Sequence, residues 1–399
     1  MDLGRLAAPP AEQGTAAPAF AHRCKRVRHR QSECRICVEV CPEGAITLGP
    51  GPVVSERCTR CGLCQTACPT EVFQGEVHSD QHLLSRIGRL LPQERRAGAA
   101  AALFVHCREA EPPRRDSVAV PCLGAVTETF LLGAVALGAN PLTLVRGDCG
   151  SCRLRAGEAL FATAKAAYVA LAPAAGLDRS AVKVEQRQRG DRALSARRKF
   201  LARVTGQRDQ GTRNWPAPGT DAPGPSGGAG APGTGPTPGA GLTPGVGPTP
   251  GRTLLQALLR GVSWSATPSL RYDAGLPWAS LKIDQRDCAT CGTCVNLCPT
   301  GAVTRRIENG RLSHHFSSAL CINCRLCEEG CPQQVISFDP EFDARDLLRE
   351  EARAITDIRL HACEICGETL PEREGRFCIT CQRRGRVESH VPGAVAGIG

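Results

Sequence analysis

Nothing in this sequence encodes an export signal or a membrane span. No apolar core follows Met1, and the first twenty residues are small, polar and proline-rich. No apolar run reaches the roughly 18 residues that a spanning helix requires. No Gly-rich dinucleotide fingerprint follows a predicted strand, which argues against bound NAD or flavin. The run 147–150 is too short for one and holds a cysteine better used as a ligand. No Ser/His/Asp or Cys/His arrangement stands out, so no catalytic residue and no substrate site can be named. The run Ser195-Ala196-Arg197-Arg198-Lys199-Phe200-Leu201 has the form of a twin-arginine motif. It is internal and a polar stretch follows it, so it reads as a basic helix face.

What the chain has in abundance is cysteine, 24 of its 399 residues. They fall in four groups: Cys24 to Cys68, Cys107 to Cys152, Cys288 to Cys331 and Cys363 to Cys381. Short C-x2-C spacings without an export signal predict metal sites in a reducing cytoplasm, not disulfides. The formal charge of +10 counts every cysteine as neutral. Four cubanes and one zinc, each held by four thiolates, would add about −10. The basic balance then offsets metal-site charge and implies no nucleic acid.

The first and third groups repeat one another. Cys41-Pro-Glu-Gly-Ala-Ile matches Cys298-Pro-Thr-Gly-Ala-Val, and Cys58-Thr-Arg-Cys-Gly-Leu-Cys matches Cys321-Ile-Asn-Cys-Arg-Leu-Cys. Runs of the form C-x2-C-x2-C-x3-C-P place thiolates around iron–sulfur cubanes. Asn309-Gly310 between two β-rich runs, 303–307 and 312–316, predicts a hairpin with a two-residue turn.

The third group resembles the bacterial two-cluster ferredoxins, in which the fourth cysteine of each run ligates the other cluster. The resemblance implies that Cys288, Cys291, Cys294 and Cys331 hold one [4Fe-4S] cluster. Cys321, Cys324, Cys327 and Cys298 then hold another. The first group departs from the pattern. Cys58, Cys61 and Cys64 are present and Cys41 completes their set. The other run has Cys34, Cys37 and, across the pair, Cys68, but Gln31 stands where its first cysteine belongs. Either the 25–30 loop bulges and Cys24 returns as the fourth ligand, or Cys34, Cys37 and Cys68 hold a three-iron [3Fe-4S] cluster with Cys24 free.

Between the repeats, runs at 103–107, 118–122, 142–145 and 182–184 read as buried strands. The stretches 124–138 and 154–171 read as Ala/Leu-rich helices, so a small parallel sheet is expected. Cys107, Cys122, Cys149 and Cys152 follow three of these strands and gather at the carboxyl edge, where open α/β folds bind ligands. The run Pro121-Cys-Leu-Gly124 through Arg146-Gly-Asp-Cys-Gly-Ser-Cys152 resembles the small iron–sulfur (delta) subunit of methyl-viologen-reducing hydrogenases. That resemblance implies a [2Fe-2S] cluster and electron delivery to heterodisulfide reductase. Only Cys107 marks the first strand where that family has a further cysteine, so a zinc site and buried structural cysteines stay open here. His106 reads as a surface residue outside the ligand set.

Cys363-x2-Cys366-x11-Cys378-x2-Cys381 is a closed four-thiolate set of the zinc-ribbon kind. Cys363-Glu-Ile-Cys-Gly-Glu368 and Phe377-Cys-Ile-Thr-Cys-Gln382 resemble the zinc finger of the DnaK-suppressor/TraR transcription factors. A rubredoxin-like iron is the redox alternative, although such knuckles usually carry glycines after both pairs.

These readings give a multidomain α+β chain. Residues 1–21 form a disordered N-terminus, 22–78 a ferredoxin-like domain and 79–208 the α/β iron–sulfur domain with a basic helix at 191–204. Residues 209–252 form a Gly/Pro-rich linker, 253–342 a second ferredoxin-like domain, and 343–399 one short charged helix (343–358) plus the zinc finger. A short amphipathic helix is expected at 253–260. Two modules on a tether follow from this division. The expected function is a cytoplasmic multi-cluster electron carrier rather than a catalyst. It would serve a hydrogenase, a heterodisulfide-reductase-like enzyme or another flavin/iron–sulfur complex. The alternative is a redox-sensing regulator whose zinc finger contacts polymerase or nucleic acid.

Overall fold

The computed structural model describes residues 20–75, 79–91, 101–114, 116–188, 247–372 and 375–388. The expected N-terminal tail, the basic helix at 191–204 and nearly all of the linker lie outside the described residues.

The N-terminal module begins with a 3-10 turn at Ala21–Arg23, followed by two single helical turns, α1 (Lys25–Arg28) and α2 (Ile36–Glu39). A hairpin of β1 (Ile46–Leu48) and β2 (Pro52–Val54) follows, in the register Ile46 to Val54, and then α3 (Leu63–Ala67). Its small core is Ile46, Val72 and Phe73, with Cys24, Cys37, Cys41, Cys64 and Cys68 packed against it. Cysteines thus stand where a larger domain would place aliphatic side chains.

Helix α4 (Asp80–Leu90) starts at Ser79, whose hydroxyl accepts the His82 N–H at 3.3 Å. It turns Leu83, Leu84 and Ile87 inward. A parallel sheet follows: β3 (Ala101–Cys107), β4 (Val118–Val120), β5 (Ala139–Arg146) and β6 (Val182–Gln186), in the spatial order β4-β3-β5-β6. The crossovers are α5 (Glu128–Ala136), capped by Thr127, and α6 (Gly157–Ala174). Phe161, Ala164, Tyr168 and Leu171 line the buried face of α6 at helical spacing. The sheet order places a topological switch between β3 and β5, a feature the strand spacing alone does not reveal.

Helix α7 (Pro250–Leu259) forms where a short amphipathic helix was expected, and its packing corrects the tether. Its Leu255, Leu258 and Leu259 belong to the same core as Phe130, Leu142 and Tyr168, and Trp278 and Leu347 extend that core. The two halves share one apolar interior. The Gly/Pro-rich composition before α7 describes only its own segment and says nothing of what the chain does beyond it.

The second module pairs β7 (Ser269–Arg271) with β12 (Glu341–Asp343), and β8 (Leu281–Ile283) with β11 (Ile336–Phe338). It carries α8 (Thr293–Leu297), β9 (Val303–Glu308), β10 (Arg311–Phe316) and α9 (Leu326–Glu329). The β9–β10 hairpin forms as expected, with Asn309 and Gly310 at φ 50° and 69°. The helix expected at 343–358 does not form. A 3-10 turn at Ala344–Leu348 replaces it, followed by β13 (Arg353–Ala354) and β14 (Ile358–Ala362) along the edge of β10. Two causes are visible. Asp343 accepts the Arg345 N–H at 2.8 Å and closes a tight turn, while the backbone beyond it is spent on β10, as in Ile355 N–H to His314 O at 2.8 Å. Strand β15 (Thr369–Pro371) continues this sheet, and α10 (Ile379–Glu388) closes the described chain.

Among the described residues no helix is long and apolar enough to cross a membrane.

Candidate metal centres

The two ferredoxin-like modules carry a backbone signature at fixed distances from their cysteines. In each complete run the residue before the second cysteine is left-handed: Arg60 (φ 55°), Thr290 (φ 53°) and Asn323 (φ 49°). So is the residue after it: Gly62 (φ 81°), Gly292 (φ 73°) and Arg325 (φ 61°). These reversals turn the loop back, and the Leu63 and Leu326 amides reach the sulfurs of Cys61 and Cys324. After every C-P pair a third reversal follows, at Gly44, Glu71, Gly301 and Gln334. Two of these are not glycine, so the geometry is enforced at a steric cost. The next amide then points at sulfur: Ala45 N–H lies 3.3 Å from Cys41 Sγ, and Val72 N–H 3.5 Å from Cys68 Sγ. The run broken at Gln31 shares none of the first two reversals, and Arg35 there has φ −132°.

The cysteines stand in crossed foursomes. Cys37 has Cys68, Cys24 and Cys34 as its neighbouring thiols. Cys64 faces Cys61, Cys58 and Cys41, with Cys37 as its neighbour in the adjoining site. In the second module Cys294 faces Cys288, Cys291 and Cys331, while Cys327 faces Cys324, Cys321 and Cys298. These are the Cys24, Cys41, Cys288 and Cys298 sites. Cys24 is brought in by α1, which takes up the extra chain between it and Cys34.

Burial, and then the neighbouring thiols, hold these groups protonated. Cys37 is pushed up to about 11, Cys64 and Cys294 to about 12, and Cys324 to about 12. Four such thiols ionise together only if positive charge arrives among them. The donor set therefore fits a metal cluster.

At the switch point of the parallel sheet, Cys107 ends β3, Cys122 follows β4, and Cys149 and Cys152 follow β5. Cys122 feels Cys107, Cys152 and Cys149, so the structure assembles all four. Burial pushes Cys122 up to about 11. Three of the sulfurs accept backbone N–H groups at 3.3 Å: Cys107 from Gly147, Cys122 from Gly124 and Cys152 from Leu154. A small cavity opens beside them toward Arg146, Asp148 and Phe161. His106, expected at the surface, is 8% exposed, on β3 in the interior of the sheet between β4 and β5.

The C-terminal foursome is tighter. The ligand atoms of Cys363, Cys366, Cys378 and Cys381 all lie within 4.8 Å of one another, and Cys366 Sγ is 3.7 Å from Cys378 Sγ. Metal–sulfur bonds of about 2.3 Å in a tetrahedron separate the sulfurs by roughly 3.8 Å, so one ion fits. A cubane places its core between the thiolates and spreads them farther. Among the described residues this is the only group packed closely enough for a single ion. The backbone amides of Cys366 and Cys378 pull the Cys363 thiol down to about 6.

Sequence reasoning missed the charged residues around these sites. Arg252 in α7 is 3% exposed and donates to the carbonyl of Cys321 at 2.5 Å and to that of Pro277. Arg28 in α1 is 5% exposed and reaches the carbonyl of Cys298 at 3.1 Å. The one signal for Arg28 was its place in the segment that breaks the first run.

The 4Fe-4S dicluster domain matches this chain twice, at residues 32–72 and 287–336. A subunit of the ferredoxin:CoB-CoM heterodisulfide reductase of Methanosarcina mazei is 32% identical over 111 residues, covering 23% of this chain and 69% of that protein. A subunit of the ferredoxin/F(420)H(2)-dependent CoB-CoM heterodisulfide reductase of Methanosarcina acetivorans is 28% identical over 101 residues, 22% of this chain and 63% of that protein. An uncharacterized ferredoxin of Methanocaldococcus jannaschii is 33% identical over 55 residues, 14% of this chain and 70% of that protein. By name these relatives are reductase subunits and a ferredoxin, and the regulator alternative has no counterpart among them. The chain belongs to the 4Fe-4S dicluster ferredoxin family that includes these heterodisulfide reductase subunits, and it is an iron–sulfur electron-transfer protein.

Proposed function

We propose that this chain relays single electrons between a soluble carrier and a hydrogenase, a heterodisulfide-reductase-like enzyme or another flavin/iron–sulfur complex. The observation that carries the reading is the crossing of the cysteines. In each module the C-P cysteine of one run stands with the three thiols of the other. The partner class rests on the names of the two Methanosarcina relatives.

In this reading the Cys24, Cys41, Cys288 and Cys298 sites each hold a [4Fe-4S] cluster and the middle four cysteines hold a [2Fe-2S] cluster. Cys363, Cys366, Cys378 and Cys381 hold zinc. Bound clusters supply outer-sphere one-electron chemistry, and zinc supplies folding energy alone. The protein's own contribution is to bury the thiolates, aim amides at sulfur and place Arg28 and Arg252 against ligand peptides. The amides and the two arginines favour the more negative, reduced state of the site they touch. The closeness of Cys24 to Cys37 and Cys68 favours a four-thiolate site over the three-iron alternative. The domains are those expected from the sequence, with the cores on either side of the linker merged. A place in the cytoplasm accompanies this reading.

Anaerobic purification with metal analysis and redox-titrated EPR tests it. About 18 irons and one zinc per chain are expected. Zinc throughout, with little iron, would overturn the relay. Cys24→Ser should convert one cubane signal to a three-iron signal, and an unchanged cubane spectrum would remove Cys24 from the ligand set.

A further inference from the structure

The segment that breaks the first cysteine run is also where the two ferredoxin-like modules meet. Within α1, the Arg28 amide donates to the carbonyl of Cys24 at 3.0 Å. Its buried guanidinium crosses to the other module. Nε donates to Leu297 O at 2.8 Å, and Nη2 donates to Asn296 O at 2.7 Å and Cys298 O at 3.1 Å. One residue therefore ties the peptide of a Cys24-site ligand to the peptide of a Cys298-site ligand. Lys25 pairs with Glu329, between Cys327 and Cys331, at 2.5 Å. With Glu329 partly open to solvent the pair adds little energy, but it reports the same register.

A second junction ties the N-terminal module to the domain of the parallel sheet. Arg153, next to Cys152, pairs with Glu43, two residues beyond Cys41, at 2.5 Å. Gly157 is wedged between the two sites. A Cβ on it would lie 2.4 Å from Cys122 Sγ and 3.1 Å from Leu63 Cδ2, and Leu63 adjoins Cys64.

We infer that the five redox sites form one fixed file. It runs from the middle site to the Cys41 site, then the Cys24 site, then across Arg28 to the Cys298 site and on to the Cys288 site. The inference rests on the relay reading and adds its order and its ends. One end is the cavity beside Cys149; the other is Cys291, the exposed ligand of the last site. Each step moves one electron. The donor site is oxidised by one and the acceptor reduced by one, with no bond broken and no proton moved. A one-electron redox protein supplies the electron at one end and a second removes it at the other. Arg28 is a positioning residue, since it holds the two sites together and sets a positive charge beside Cys298 and Cys324. The extra chain between Cys24 and Cys34, with α1 in it, is then the piece that joins the modules and not a degraded motif.

Redox-titrated EPR of the intact, metal-loaded chain tests the order. Iron content and reducibility report on the relay itself. Magnetic interaction between modules reports on the file. Full reduction should broaden the Cys298-site signal through spin–spin interaction with the sites on both sides of it, and Cys34→Ser, which breaks the Cys24 site, should remove the part of that broadening that the Cys288 site does not supply. Arg28→Gln should shift the Cys298-site midpoint to more negative potential, and Arg28→Lys should retain it. If the Cys298-site signal is the same with and without an intact Cys24 site, the file is broken at Arg28 and the inference fails, while the relay stands. A midpoint unmoved by Arg28→Gln also overturns the role given to that residue.

Discussion

Gly157 stands so close to Cys122 that a methyl group on its Cα would lie 2.4 Å from the sulfur. Behind it, Gly124 approaches Gly157 equally closely: a Cβ on Gly124 would meet the Gly157 carbonyl oxygen at 2.6 Å. The start of α6 and the turn after Cys122 are therefore pressed together by two glycines, and a ligand thiol fills what space remains.

Gly157→Ala should push Cys122 or Leu63 aside. Overpacking of this kind costs about 1–3 kcal/mol. The specific expectation is loss of the middle cluster with the four ferredoxin-type clusters retained. Iron and sulfide counts with visible absorption distinguish this from general misfolding. Full occupancy of the middle site in the variant would show that the contact yields without consequence.

Much of the cysteine arrangement was legible because it is written locally. Cysteine spacing, the proline after each run and the Asn309-Gly310 turn each act over a few residues, and the grouping of the cysteines and the hairpin follow; the crossing of the ligand sets came from the resemblance to two-cluster ferredoxins. The middle foursome was legible because a strand that ends in cysteine places its thiol at the sheet edge. What was not legible depends on partners far away in sequence. Nothing near α7 says that Leu255 and Leu258 enter the core of the parallel sheet. Arg28 and Arg252 look like surface charges until the carbonyls of Cys298 and Cys321 are brought to them. Residues 343–358 carry helix-compatible charges, yet the open edge of β10 takes their backbone.

Glu71 links the halves of the molecule. Its carboxylate accepts from Thr249 Oγ1 at 2.5 Å and from the Gly251 amide at 2.9 Å, so a residue of the N-terminal module caps α7. Glu71→Ala removes both bonds and leaves the buried Arg252 with less opposing charge. A loss of about 1–3 kcal/mol is expected, read as a lower denaturant midpoint for the metal-loaded chain. Glu71→Gln should recover part of it by keeping one acceptor. Equal midpoints for wild type and Glu71→Ala would mean that the cap contributes nothing.

Asp80 beneath Thr127 gives stability a pH dependence of unusual sign. Burial first, then Glu128 and Glu71, pushes its carboxyl from 3.8 up to about 7, against the pull of the Thr127 hydroxyl. The folded protein then holds this proton while the unfolded chain has released it. Stability therefore falls as pH rises from about 4 to about 7, and the full penalty is present above that window. Arg252 opposes the effect at the neighbouring Glu128. Asp80→Asn should be more stable than wild type by about 1–3 kcal/mol at pH 8, with the gain vanishing near pH 4. Denaturant midpoints across that range check it, and a gain independent of pH would place the cause elsewhere.

The C-terminal foursome should behave as a structural unit separable from electron transfer. Its strands β14 and β15 continue the sheet of the second module, so losing the ion should loosen residues from about 363 onward and leave the β9–β10 hairpin in place. Cys378→Ser is expected to lose one zinc per chain, to raise amide exchange in β15 and α10, and to leave the iron content and cluster midpoints unchanged. Zinc and a lone redox iron both fit the separation between these sulfurs, so an experiment must choose between them. Metal analysis does: iron at this site, with a rubredoxin-like visible spectrum that bleaches on reduction, would make it a sixth redox centre and replace the structural role argued for it.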